Sequence, residues 1–135
     1  MYIEEWKYGR IYAIIHIGMK QIEFKTMTDD KDNDLFDGFL KTLDEKQADK
    51  IVERLIQIEN HGLQTAIKMK WVKKIDKNLY EIRVKFSSNI QRVFYFQKEN
   101  NQYVITHGFT KKTQKTPPKE ITRAKRLRDQ YLRRR

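Results

Sequence analysis

The feature that most constrains the fold is a run of three strand patterns between Leu79 and Phe109, joined by short polar turns. In Leu79–Phe86 the period is two. Tyr80, Ile82, Val84 and Phe86 point one way, and Leu79, Glu81, Arg83 and Lys85 the other. Ser87-Ser88-Asn89 turns the chain, and Ile90–Gln97 gives a strand rich in aromatic residues. A second polar turn over residues 98–102 leads to Tyr103–Phe109. Three consecutive strands with connections this short predict an antiparallel meander. A shorter strand, Lys70–Ile75, precedes them.

The remaining elements must cover this sheet. Asp34 and Asp44 are placed as helix N-caps, since a side-chain carboxylate there accepts the free N–H groups of the first turn. Leu35, Phe36, Phe39, Leu40 and Leu43 follow the first at helical spacing, and Ala48, Ile51, Val52, Leu55 and Ile58 form one stripe after the second. Gly62 ends that stripe. Pro117-Pro118 blocks strand continuation, and a helix is expected from about Lys119 to Arg134 with a thin apolar edge of Ile121, Ala124, Tyr131 and Leu132. Near the N-terminus, Arg10–Ile17 and Gln21–Thr26 read as a hairpin or two adjoining strands. The expected class is α+β: a helical hairpin packed on an antiparallel β-sheet, with a basic C-terminal helix and an N-terminal strand extension. A chain of 135 residues fits one domain over 1–135, with 1–19 as an extension.

Charge narrows the function. The net charge is +11, and its distribution is uneven. Residues 27–59 hold ten acidic against five basic groups, whereas residues 111–135 hold eleven basic against two acidic. A positive field concentrated in the C-terminal half favours nucleic acid as partner over an acidic protein. The acidic stretch Asp29-Asp30-Lys31-Asp32-Asn33-Asp34 lacks the glycine and terminal glutamate of a calcium loop and reads as a solvated face. There is no cysteine, which excludes disulfides, thiolate zinc sites and cysteine nucleophiles. The residue types imply no metal and no cofactor. No signal peptide and no membrane-length apolar run is visible, and a cytoplasmic protein is expected.

Arg83 and Lys85 share one strand face about 7 Å apart by strand rise. Arg92 sits on the next strand among apolar residues, where a charge requires a partner or a ligand. An ion pair with Glu81 is the plain reading of either arginine taken singly. The loop Thr110–Thr116 adds Lys111, Lys112, Thr113, Gln114 and Lys115, which suit phosphate oxygens or base edges. His107 either faces the core as a satisfied structural residue or moves a proton near neutral pH. These types fit metal-free RNA cleavage, in which the RNA's own 2′-OH attacks the adjacent phosphate. The protein then need only stabilise charge on the phosphate and move two protons.

The runs Leu79–Phe86, Arg92-Val93-Phe94-Tyr95 and His107-Gly108-Phe109-Thr110-Lys111-Lys112-Thr113-Gln114-Lys115-Thr116-Pro117 resemble the phage-associated HigB branch of the RelE/ParE toxin superfamily. The resemblance covers about residues 20–133, and the HGF-x-KKT-x-KTP run is its most specific part. It implies two helices packed on an antiparallel sheet and the toxin of a type II toxin–antitoxin pair. It further implies an mRNA interferase acting in the ribosomal A site, with a HigA-like helix-turn-helix antitoxin as partner. By position, Arg92 matches the strand arginine at the scissile phosphate, Arg83 and Lys85 the nearby basic positions, and Lys111 and Lys112 the basic loop. The acid and base would come from Lys85, His107 and Lys112. Many RelE-type toxins carry a catalytic tyrosine or histidine near the C-terminus. Here that region offers Tyr131 within the expected helix, a poor place for catalysis. A non-catalytic topoisomerase inhibitor of the ParE kind is the alternative, and a phage protein that only binds nucleic acid is a third.

Overall fold

The computed structural model describes residues 20–111 and 115–134. The expected strand Arg10–Ile17 lies outside them. Within them, five strands, β1 (Glu23–Thr26), β2 (Val72–Asp76), β3 (Leu79–Phe86), β4 (Asn89–Glu99) and β5 (Gln102–Lys111), form one sheet in the order β1-β5-β4-β3-β2. Among the described residues, four helices accompany it: α1 (Leu35–Lys41), α2 (Glu45–His61), α3 (Leu63–Lys68) and α4 (Pro118–Arg133). None of them is long and apolar enough to cross a membrane.

The meander forms as the period predicts and extends to four strands, β2 to β5, all antiparallel. The exception to the expected sheet is β1, which pairs parallel with β5. Glu59 fixes it there. This residue of α2 is fully buried, its carboxylate accepts the Phe24 N–H at 2.8 Å, and its carbonyl accepts from Gln21 at 2.6 Å. β1 is thus positioned by the helix as well as by the strand beside it.

The helical hairpin starts where the caps place it. Asp34 accepts from the Asp37 N–H and Asp44 from the Gln47 N–H, each at 2.9 Å. Gly62, at φ 87°, ends α2 and opens the short helix α3, which the periodicity did not reveal. The α2 stripe packs with Phe36 and Leu40 of α1 against Ile82, Val84, Val93, Tyr95 and Ile105 of the sheet. Gly108 permits close approach of α1 to β5: a Cβ there would lie 2.5 Å from the Phe39 ring.

The opposite face of the sheet is also covered, which two helices on one side do not provide. α4 sets Ala124 and Ile121 against Leu79 and Phe94, and Leu127, Tyr131 and Leu132 against Phe96 and Val104. Leu127, which was not part of the apolar edge expected for this helix, is its most buried leucine. α4 spans only part of that face. The part nearest the β3–β4 turn carries Arg83, Lys85, Arg92 and Lys111 among the apolar Ile90 and Phe109.

Candidate nucleic-acid interface

Directly paired residues of neighbouring strands point to the same side of a sheet. The register places Lys85, Ile90 and Lys111 in one row, and Arg83, Arg92 and Phe109 in the next. Lys73 of β2 pairs with Glu81 in the row after that. The sheet therefore brings Arg83, Lys85, Arg92 and Lys111 to one face, as the alternation required. It also adds Lys73, whose register is invisible in the sequence.

Arg83 and Arg92 stand directly opposite one another, and two like charges there would repel. Glu81 resolves this. Arg83 Nε donates to Glu81 Oε1 at 2.6 Å, and Arg92 Nη1 donates to the same oxygen at 2.8 Å. Thr116 Oγ1 donates to Glu81 Oε2 and accepts from Arg92 Nη1 at 3.1 Å. Glu81 and Arg92 are both 0% exposed. Arg92, expected at a scissile phosphate, is thus placed beneath the surface, its guanidinium held by Glu81 and Thr116. The ion pair with Glu81, the alternative for both arginines, is present in each case. Arg83 differs in keeping part of its side chain, 28%, open to solvent.

Above this buried network lies a cleft of about 260 Å³ lined by Lys73, Lys74, Ile75, Arg83, Lys115, Thr116 and Ile121. Lys73, Lys74 and Lys115 are exposed. Lys85 is exposed further along β3, Lys111 is half-buried at the end of β5, and neither has an ion-pair partner among the described residues. Lys112, Thr113 and Gln114 lie outside the described residues. The cations of this face surround, rather than include, Arg92. Thr116 joins the loop to the sheet, a role the sequence offered no means of assigning.

His107 sits elsewhere. It is 1% exposed, with Nε2 3.1 Å from Glu120 Oε1 and Nδ1 3.2 Å from Thr106 Oγ1. Its ring packs 5.3 Å from that of Phe94. Burial lowers its pKa to about 4; the Glu120 carboxylate opposes this, and Arg123 and Arg126 reinforce it. A neutral ring donating to Glu120 ties β5 to the first turn of α4. This is the satisfied structural histidine, the alternative to a proton carrier, and it does not line the cationic cleft. Tyr131 packs its ring edge-on against Phe96 at 5.6 Å.

A mostly antiparallel sheet carrying helices, with one open cationic face, defines a small α+β protein. The chain belongs to the phage derived protein Gp49-like family (DUF891), whose model matches residues 38–129, from α1 into α4. That family belongs to the RelE/ParE-like toxin superfamily. The chain matches none of the curated proteins.

Proposed function

We propose that this protein is the toxin of a type II toxin–antitoxin pair and a metal-independent, ribosome-dependent mRNA endoribonuclease of the HigB kind. The observation that carries the reading is the convergence of Lys73, Arg83, Lys85, Lys111 and Lys115 around one open end of the sheet, beside the helix that closes the other end. In the reaction, the 2′-oxygen forms a bond to the adjacent phosphorus while the bond to the 5′-oxygen breaks, leaving a 2′,3′-cyclic phosphate. One proton leaves the 2′-oxygen and one is delivered to the 5′-oxygen. Cations fixed before the reaction stabilise the charge gathering on the phosphate.

In this proposal Arg83, Lys111, Thr113, Gln114 and Lys115 hold the RNA, and Lys85 and Lys112 move the protons. Arg92 acts as a positioning residue: it fixes Glu81 and Thr116, and through them the guanidinium of Arg83 and the base of the Lys115 loop. His107 carries no proton in this proposal, because its Nε2 faces Glu120 and its ring is buried. Placement of the mRNA in the ribosomal A site supplies orientation the small cleft does not. A HigA-like helix-turn-helix antitoxin is the proposed partner.

Primer extension on an mRNA, with and without translating ribosomes, tests this. Cuts that require ribosomes and are reduced at least a hundredfold by Lys85→Ala are expected, from the usual contribution of a positioned proton carrier. Growth arrest without cuts in either reaction would overturn the nuclease and favour the ParE-like inhibitor. The absence of a histidine from the described cleft is the observation on that side.

A further inference from the structure

Four cations of α4 take no part in the sheet-face cleft. Lys119, Arg123, Arg126 and Arg133 are exposed and have no ion-pair partner among the described residues. Their neighbours on the same helix are spoken for. Lys125 pairs with Asp76, Arg128 with Asp129 and the Lys77 carbonyl, and Glu120 with His107. At 100° per residue the four fall within an arc of about 80°, and they extend about 21 Å along the axis. They form one stripe on the outer side of α4, with Arg123 flanking a cavity it shares with Asp32, Asp34, Asp37, His107 and Gly108, and Arg133 flanking one it shares with Asp30.

The composition of that side distinguishes among partners. The apolar residues of α4, Ile121, Ala124, Leu127, Tyr131 and Leu132, all belong to clusters with the sheet. The stripe therefore has no apolar centre of the kind a protein interface places at its core. It also lacks the apolar face with which a basic helix enters a lipid surface. Cations held at fixed intervals on a rigid helix match a row of phosphates. The stripe is separate from the cleft: Ile121 lines the cleft on the sheet side of α4, and Lys119, about 200° round the helix, opens the stripe on the other side.

We infer that the outer face of α4 binds the sugar–phosphate backbone of double-helical RNA, so that the helix grips structured RNA while the cleft takes a single strand. The choice of RNA over DNA rests on the proposed function; the stripe itself does not. Binding is read by anisotropy of a labelled RNA hairpin with a two-turn stem, without ribosomes, over a range of salt. The full chain is compared with a K119Q/R123Q/R126Q/R133Q variant whose folding is checked by circular dichroism.

The variant is expected to bind at least tenfold more weakly at low salt, with a slope of log affinity against log salt shallower by roughly three to four. Unchanged affinity and slope would overturn the inference. So would tighter binding of the native chain to a DNA duplex of the same sequence, or a loss confined to anionic phospholipid vesicles. Weakened hairpin binding in the variant, with no mRNA cleavage by the native chain, would sink the nuclease and leave the stripe standing.

Discussion

The two faces of the sheet are built from the same strands and solve opposite problems. Toward α1 and α2, Ile82, Val84, Val93, Tyr95 and Ile105 meet other apolar side chains, and burial alone stabilises the contact. On the other face, beyond the reach of α4, Glu81, Arg83, Arg92 and Thr116 meet one another. A charge buried there is tolerated only because each has a partner in hydrogen-bonding geometry. The first face tolerates changes of shape within limits, whereas the second depends on every member being present. A buried polar network of this kind beneath an exposed cationic surface holds the surface in one arrangement.

The largest expected effect breaks the second face. Glu81→Ala removes the carboxylate shared by Arg83 and Arg92 and takes one charged partner from a buried guanidinium. A loss of about 3–5 kcal/mol is expected in urea unfolding. Arg92→Ala should likewise cost stability, so its effect on toxicity must be read beside its folding. A joint Glu81→Met/Arg92→Leu replacement should recover most of the loss, as replacing a buried pair by apolar residues often does. Failure to recover would mean that the network supports the Lys115 loop as well as itself.

The link between β5 and α4 gives the next effect, and it depends on pH. The folded pKa of His107 is lowered to about 4 from an ordinary value near 6.5, so between these values the unfolded chain binds more protons. Stability contributed by the neutral ring is present above pH 6.5 and is lost as pH falls toward 4. The upper bound is on the order of 3 kcal/mol. His107→Gln should flatten the dependence of the unfolding midpoint across that window. An unchanged pH profile in the variant would show that other groups, Glu120 foremost, govern it.

On the apolar face, Gly108→Ala forces a methyl against Phe39 and the Arg92 carbonyl, which lie 2.5 and 3.1 Å from the added atom. Overpacking of about 1–3 kcal/mol is expected, with partial rescue by Phe39→Leu. The smallest effect is at a helix cap. Asp34→Ala removes the acceptor for the Asp37 N–H and for Thr26 Oγ1, at about 1 kcal/mol in thermal unfolding. If Asp34→Ala cost as much as Glu81→Ala, the contrast between the faces would fail.

Local pattern made much of this protein legible. The alternation in Leu79–Phe86 assigned every side chain of β3 to its face. Asp34, Asp44 and Pro117-Pro118 marked helix starts to within a residue or two, because caps and proline act over a single turn. Ranges of the other strands were short by one or two residues at most of their ends, where pairing rather than composition sets the limit. The short helix α3 and the parallel pairing of β1 were not legible. One has too little sequence for a period, and the other is fixed by Glu59, which is distant in the chain.

The site divides along the same line. That Arg83, Lys85 and Arg92 are cations on neighbouring strands was determined by the sequence by itself, since period and residue type are local properties. Which of them meets solvent was decided only by the tertiary structure. Arg92 is buried because Thr116 and Glu81 close over it, while Lys85 stays exposed because α4 does not reach that end of the sheet. Burial is a property of what lies above a residue, and what lies above is brought there by contacts far apart in the chain.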